Sequence, residues 1–218
     1  METSSSPGFR TCDCRNPQAA RDICPGTETG SAWYVGLTGR GKTTLALIHA
    51  KELANRTCWP ILVVDSEDSL GAELPSFAVA RRPSTAIMSV WGDGRHTRWI
   101  PDHPDEIERI AEACHELGHV VLLVDEGSYY LHSGTRTGSR LLRLVRAHRH
   151  APAWILFTTQ HFSGDIPMAA FAGAPEVFVF QTTQPSALKR LREDWGIASD
   201  DVSELPVGTC RVLKTDGS

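Results

Sequence analysis

The residues Gly36-Leu37-Thr38-Gly39-Arg40-Gly41-Lys42-Thr43 fit the pattern G-x-x-x-x-G-K-[ST], and their flanks restrict the fold more than anything else in the chain. Before them, Ala32-Trp33-Tyr34-Val35 reads as a short buried strand. After them, Thr44 to Leu53 carries apolar residues at helical spacing. A strand entering a helix through such a loop makes a cradle for phosphate. Glycines let the backbone curl so that successive N–H groups point inward, and the helix N-terminus adds the positive end of its dipole. Lys42 would place its ammonium between the β- and γ-phosphates, and the Thr43 hydroxyl would ligate Mg2+. Gly36, Thr38, Gly39, Arg40, Gly41 and Thr44 complete the expected binding loop. The ligand expected is a nucleoside triphosphate.

The rest of the chain supplies a sheet for that loop to sit on. Ile61 to Asp65 is a β-branched run that predicts a second strand, and Thr85 to Val90 predicts a third. Pro104 to Leu117 reads as a helix, with Asp102 or His103 as its cap, Asp105 and Glu106 in its first turn and Gly118 at its end. His119 to Val124 is continuous apolar sequence ending in Asp125-Glu126, as expected of a strand buried on both faces. A helix over about 137–149, a strand over 154–160, a strand over 176–180, a helix near 185–195 and a closing strand at Arg211-Val212-Leu213 follow. Such alternation predicts an α/β fold of βαβ units, a mostly parallel sheet with helices on both faces.

Length and composition set the outer limits. The 218 residues suit one core-bearing domain, assigned to 31–218, after a Ser-, Pro- and Gly-rich arm over 1–30 that reads as poorly ordered. No apolar run approaches the ~20 residues that cross a bilayer, and the N-terminus lacks a secretory pattern, so a cytoplasmic setting is expected. A net charge of -4 argues against a general basic coat for nucleic acid, though not against a local basic surface. The six cysteines are scattered. Cys12, Cys14 and Cys24 could hold a metal, but a fourth ligand is not obvious nearby, so free thiols in a reducing compartment are expected.

Ligands of open α/β sheets gather at the C-terminal strand ends. Asp125, Glu126 and Gln160 all lie at such ends, with the phosphate loop. Asp125 fits the acid that orients Mg2+ through water, and Glu126 fits the base that activates an attacking water. Gln160 could hold that water or sense the γ-phosphate. Between them, Arg136, Arg140, Arg143, Arg146 and Arg149 recur every three or four residues, on the side of a helix opposite Leu141, Leu142, Leu144 and Val145. Guanidinium groups suit phosphate, whether of DNA or of a neighbour's nucleotide. Arg149 could not easily reach its own nucleotide but could enter the next subunit's site in a ring.

With these residues in view, the chain resembles FtsK–HerA-type P-loop ATPases, specifically the small genome-packaging ATPases of tailless double-stranded-DNA viruses. The resemblance covers about residues 32–214. It is carried by residues 36–43, by Val124-Asp125-Glu126, by Arg149-His150 followed by Phe157-Thr158-Thr159-Gln160, and by Leu205-Pro206-Val207-Gly208 before a final strand. It implies a RecA-like fold, ATP with Mg2+, hydrolysis coupled to translocation of double-stranded DNA, and a hexameric homo-oligomer with Arg149 as a finger acting in trans. It also implies host cytoplasm or virion as the setting and capsid or portal-vertex proteins as candidate partners. The N-terminal cysteine segment matches nothing in that family. A neighbouring resemblance is to zonula-occludens-toxin-like assembly ATPases of filamentous phages, which typically continue into a membrane span.

Other classes compete. A P-loop kinase would need an acceptor pocket, whereas Glu126 suggests water as acceptor. A GTP switch would carry an Asn-Lys-x-Asp segment, and none is present. A binding module without chemistry leaves Glu126 and Gln160 without a role. The segment Gly127 to Gly134, after the acidic pair, is the candidate for a moving, DNA-contacting loop.

Overall fold

The apolar runs form strands and the periodic segments form helices in a computed structural model that describes residues 10–13, 29–131, 139–147, 151–160, 166, 170–171 and 176–214. The strands are β1 (Arg10–Asp13), β2 (Gly30–Val35), β3 (Ile61–Val64), β4 (Ala78–Ala80), β5 (Thr97–Trp99), β6 (Val120–Val124), β7 (Ala153–Thr159), β8 (Glu176–Phe180) and β9 (Thr209–Lys214). The helices are α1 (Lys42–Thr57), α2 (Pro83–Ile87), α3 (Ile107–Leu117), α4 (Ser139–Ala147), α5 (Pro185–Trp195) and α6 (Asp200–Ser203). All the strands share one sheet in the order β1-β9-β8-β2-β7-β6-β3-β5-β4. Pairing is parallel from β8 across to β4, while β9 is antiparallel to β8 and β1 antiparallel to β9.

Both faces of the sheet are covered, which is why its central strands read as unbroken apolar sequence. Ala32, Tyr34, Val63, Leu123, Leu156 and Phe178 face α1 and pack with Leu45, Ala46, Ala50 and Leu53. Trp33, Val35, Leu62, Leu122, Ile155 and Val179 face the other way, toward Ile110, Leu141, Leu144, Ala187 and Leu191 of α3, α4 and α5. Trp33 stacks on Phe157 with ring centroids 4.4 Å apart, filling the layer beneath the neighbouring strand ends.

Two expectations need correction. Thr85 to Val90 is not a strand: α2 starts at Pro83 and continues as a π-helical turn over Met88–Gly92. Pro83 at the first helical position, after an extended Arg82, pre-sets the helical φ. Ala86 and Val90 are buried four residues apart while Thr85 and Met88 face solvent, a helical rather than a strand period. The sheet instead recruits β4 and β5, three residues each and too short to show a pattern. The second correction is at the sheet edge, where β1 pairs outside β9, so the strand holding Arg211 to Leu213, the last in the chain, is not the edge strand.

His103 caps the turn Pro104–Glu106 with a reciprocal capping box, and Gly118 ends α3. Cys14, Cys24 and the remainder of the N-terminal arm lie outside the described residues. Among the described residues no helix is long and apolar enough to cross a membrane.

Candidate phosphate-binding and catalytic site

The loop between β2 and α1 is anchored on both sides. Gly36 N–H donates to Thr159 O of β7 at 3.2 Å, and Leu37 N–H donates to Gln181 O beyond β8 at 2.9 Å. Gly36 has φ 146°, and a Cβ there would stand 2.8 Å from Phe180 Cβ, so only glycine fits. Gly41, at φ 102°, precedes α1 without any side-chain cap, and the first turn contains no acid. The helix N-terminus therefore keeps its uncapped N–H groups and its dipole for an anion. Lys42 is 5% exposed, and its Nζ donates to Leu37 O at 3.0 Å, folding the ammonium over the loop. Burial pulls its pKa below the ordinary lysine value, and the charges of Glu126 and Asp125 pull it back up.

β7 lies between the loop strand β2 and the acid strand β6. Parallel registers pair Val35 with Thr159 and Val124 with Phe157, so the three strands end together. Asp125 N–H continues the pairing to Val64 O at 3.0 Å. Its Oδ1 accepts Thr43 Oγ1 at 3.2 Å and Thr158 Oγ1 at 2.5 Å. Burial raises the Asp125 pKa; the Thr158 bond opposes that, the Glu126 charge adds to it, the Thr43 bond opposes it and the Asp65 charge adds to it.

Glu126 stands at φ 52° and ψ 56°, a left-handed conformation held for a non-glycine residue by its contacts. Its N–H donates to Thr158 Oγ1 at 3.1 Å, and its Oε2 accepts the Gln160 N–H at 3.1 Å. Thr38 Oγ1 donates to Gln160 Oε1, joining the phosphate loop to the end of β7. Just beyond, Gly127 packs on Phe157, where an added Cβ would lie 2.7 Å from Cδ1. The Gly127–Tyr129 turn then leads to Tyr130, whose buried hydroxyl meets Ser66 Oγ at 2.8 Å. Burial pushes the Tyr130 hydroxyl up to about 12.

The structure thus brings Thr38, Lys42, Thr43, Asp125, Glu126 and Gln160 into one group around the loop. Gly36, Gly39, Arg40, Gly41 and Thr44 form the loop and the start of α1. Arg136 and Arg149 lie outside the described residues, as do 132–134 of the candidate moving loop. Of the arginine stripe, Arg140 pairs with Glu112 of α3 at 2.5 Å, while Arg143 and Arg146 are exposed.

Thr158 is a functional candidate that the sequence does not single out. Inside a strand buried on both faces, nothing in the pattern distinguishes it from a polar filler. Ser66 escapes notice for a similar reason: its Oγ donates to Asp125 O at 3.1 Å from a loop remote in sequence. Asp65 is fully buried and fully engaged, accepting from the N–H groups of Ser69 and Leu70 and from Arg98 Nη1, each at 3.0 Å.

The oxygen donors fit a small hard cation: Thr43 Oγ1 and Asp125 Oδ1 lie 3.2 Å apart at the uncapped helix end. No protein-family model matches the chain, and no curated protein matches it in sequence. Solved structures do match. The genome-packaging NTPase B204 from Sulfolobus turreted icosahedral virus 2 in complex with AMP superposes with TM-score 0.70 at 17% identity, over 87% of this chain and 94% of that one. Its ATP-gammaS complex gives TM-score 0.69 at 19% identity, over 86% of this chain and 93% of that one. The pCW3 conjugation coupling protein TcpA, in monomer form with ATPgS, gives TM-score 0.57 at 12% identity, over 88% of this chain and 62% of that one. At these identities the likeness is one of fold, and the chain has the P-loop NTPase fold that B204 and TcpA share.

Proposed function

We propose that the protein hydrolyses ATP as one subunit of a homo-oligomeric ring that translocates double-stranded DNA, with viral genome packaging as its setting. The observation that carries hydrolysis is the grouping of Glu126 and Gln160 beside a lysine-bearing phosphate loop. A carboxylate held at that point by a backbone N–H would take a proton from water. The Gln160 amide, bonded to Thr38, would orient that water. Lys42, the loop N–H groups and the end of α1 would hold the phosphates. Thr43, and Asp125 through water, would hold Mg2+, which when bound neutralises charge on the β- and γ-oxygens.

Hydrolysis in trans, the ring and DNA as substrate rest on the sequence resemblance and are supported by neighbours named for genome packaging and conjugation coupling. Arg149 would supply the trans guanidinium, and capsid or portal-vertex proteins would be the docking partners. The test begins with purified protein and ATP without any acceptor: free phosphate is expected, and duplex DNA is expected to raise its rate. Arg149→Ala is expected to abolish turnover of the oligomer and leave nucleotide binding intact. Negative-stain images with a non-hydrolysable analogue are expected to show a six-membered ring. Full-rate turnover by a strict monomer that ignores duplex DNA would overturn the motor.

A further inference from the structure

The peptide between Asp125 and Glu126 is gripped from both sides by hydroxyl groups. Its C=O accepts Ser66 Oγ at 3.1 Å, and its N–H donates to Thr158 Oγ1 at 3.1 Å. Ser66 lies just past the end of β3 and Thr158 lies in β7, the two strands that flank β6. The grip has a consequence because Glu126 stands at φ 52°. Turning the peptide over would carry that φ to the negative side, where a residue with a Cβ is relaxed. The two bonds hold Glu126 in the more strained of two conformations. In this conformation its Oε2 accepts the Gln160 N–H at 3.1 Å.

Ser66 is itself held from two directions. A serine hydroxyl has one proton, and Ser66 gives it to Asp125 O, so in the 2.8 Å contact between Ser66 Oγ and the Tyr130 hydroxyl the tyrosine is the donor. Burial that pushes the Tyr130 hydroxyl up to about 12 keeps that proton in place through the neutral range. The backbone around Ser66 is pinned by its neighbour Asp65, which accepts Ser69 N–H, Leu70 N–H and Arg98 Nη1. Arg98 Nη1 also reaches Asp68 Oδ1 at 3.0 Å, tying the far side of the same turn to β5.

We infer that Ser66 and Tyr130 are positioning residues for hydrolysis: the Tyr130 O–H orients the Ser66 hydroxyl, and that hydroxyl holds the Asp125–Glu126 peptide in the orientation that aims the Glu126 carboxylate at water. The inference rests on the reading of Glu126 as the base. Both side chains act through the Glu126 backbone and not on the nucleotide, so their loss falls on kcat and spares affinity.

Single-turnover hydrolysis of Mg2+–ATP by the full chain, with equilibrium binding of a fluorescent analogue beside it, tests this. Ser66→Ala is expected to slow hydrolysis about tenfold, and Tyr130→Phe, which keeps the ring, about threefold, with Kd within about twofold of wild type in both. The combined Ser66→Ala/Tyr130→Phe variant is expected to be no slower than Ser66→Ala alone, because the tyrosine acts through the serine. Ser66→Thr keeps the hydroxyl and is expected to restore most of the rate. In a Glu126→Gln background, Ser66→Ala is expected to cost nothing further. Wild-type rates in Ser66→Ala, losses that multiply in the combined variant, or a Ser66→Ala loss undiminished in Glu126→Gln protein overturns the inference and leaves Glu126 as the base. Glu126→Gln protein that hydrolyses ATP as fast as wild type removes the base, and the inference with it.

Discussion

Thr158 Oγ1 donates to Asp125 Oδ1 at 2.5 Å, and the same oxygen accepts the Glu126 N–H at 3.1 Å. One hydroxyl on β7 thereby fixes the carboxylate of the first acid and the backbone of the second. Its bond also opposes the burial that raises Asp125. Thr158→Val keeps the volume and removes the bond, so the Asp125 pKa rises further. The acid limb of kcat/KM for Mg2+–ATP is expected to move to higher pH, and kcat at its optimum to fall about tenfold as Glu126 loses its anchor. A pH–rate profile identical to that of wild type would show that Thr158 is only filler.

Asp125 is buried at 7% exposure, and its folded-state pKa lies above the unfolded value. Between those values the native state binds more protons, so stability falls as pH rises through that window and the loss persists at neutral pH. Asp125→Asn keeps an Oδ1 for Thr43 and Thr158 and removes the charge. In Mg2+-free buffer at pH 7 the variant is expected to be about 1 kcal/mol more stable in urea denaturation, while hydrolysis is lost. Lower stability of the variant would contradict the cost assigned to this carboxylate.

Gln160 serves the site twice, through its backbone N–H to Glu126 and through its side chain to Thr38. Gln160→Ala removes the second role alone. Nucleotide affinity is expected to stay within about twofold of wild type while kcat falls about a hundredfold, as when one preorganised polar group is deleted. Equilibrium binding with a fluorescent nucleotide and single-turnover hydrolysis measure the two quantities separately. A rise in Kd without a change in kcat would assign Gln160 to binding.

Gly36 combines φ 146° with a Cβ direction blocked by Phe180 at 2.8 Å and Gln181 O at 3.0 Å. Gly36→Ala must therefore move the loop away from β8. A loss of about 2–4 kcal/mol in chemical denaturation is expected, with nucleotide binding lost as well. Gly39 gives the comparison, since a Cβ there would meet nothing within 4 Å. Gly39→Ala carries only the strain of φ 70° and is expected to be milder.

The phosphate loop is legible because its chemistry is local: glycines, lysine and threonine are adjacent in sequence between a strand and a helix. The acid pair is legible because a buried parallel strand that ends in two charged residues marks a sheet edge. The helix at 83–92 reads wrongly as a strand because Thr85, Ile87 and Val90 suggest one by composition. The Pro83 start and the spacing of Ala86 and Val90 decide otherwise. β4 and β5 are invisible at three residues each, since their strand form comes from pairing with neighbours and not from propensity.

By itself the sequence determined a strand–loop–helix phosphate cradle, an acid pair at the end of an inner strand and a two-sided α/β sheet, because each of these is written in adjacent residues. Only the tertiary structure decided that β7 stands between β2 and β6, so that Thr158 and Gln160 reach Asp125, Glu126 and Thr38. It also decided that the turn at 206–208 closes on Arg40 from the far side of the loop. Strand order is set by how side chains from distant segments pack between the two helical layers, and no stretch of contiguous residues encodes it.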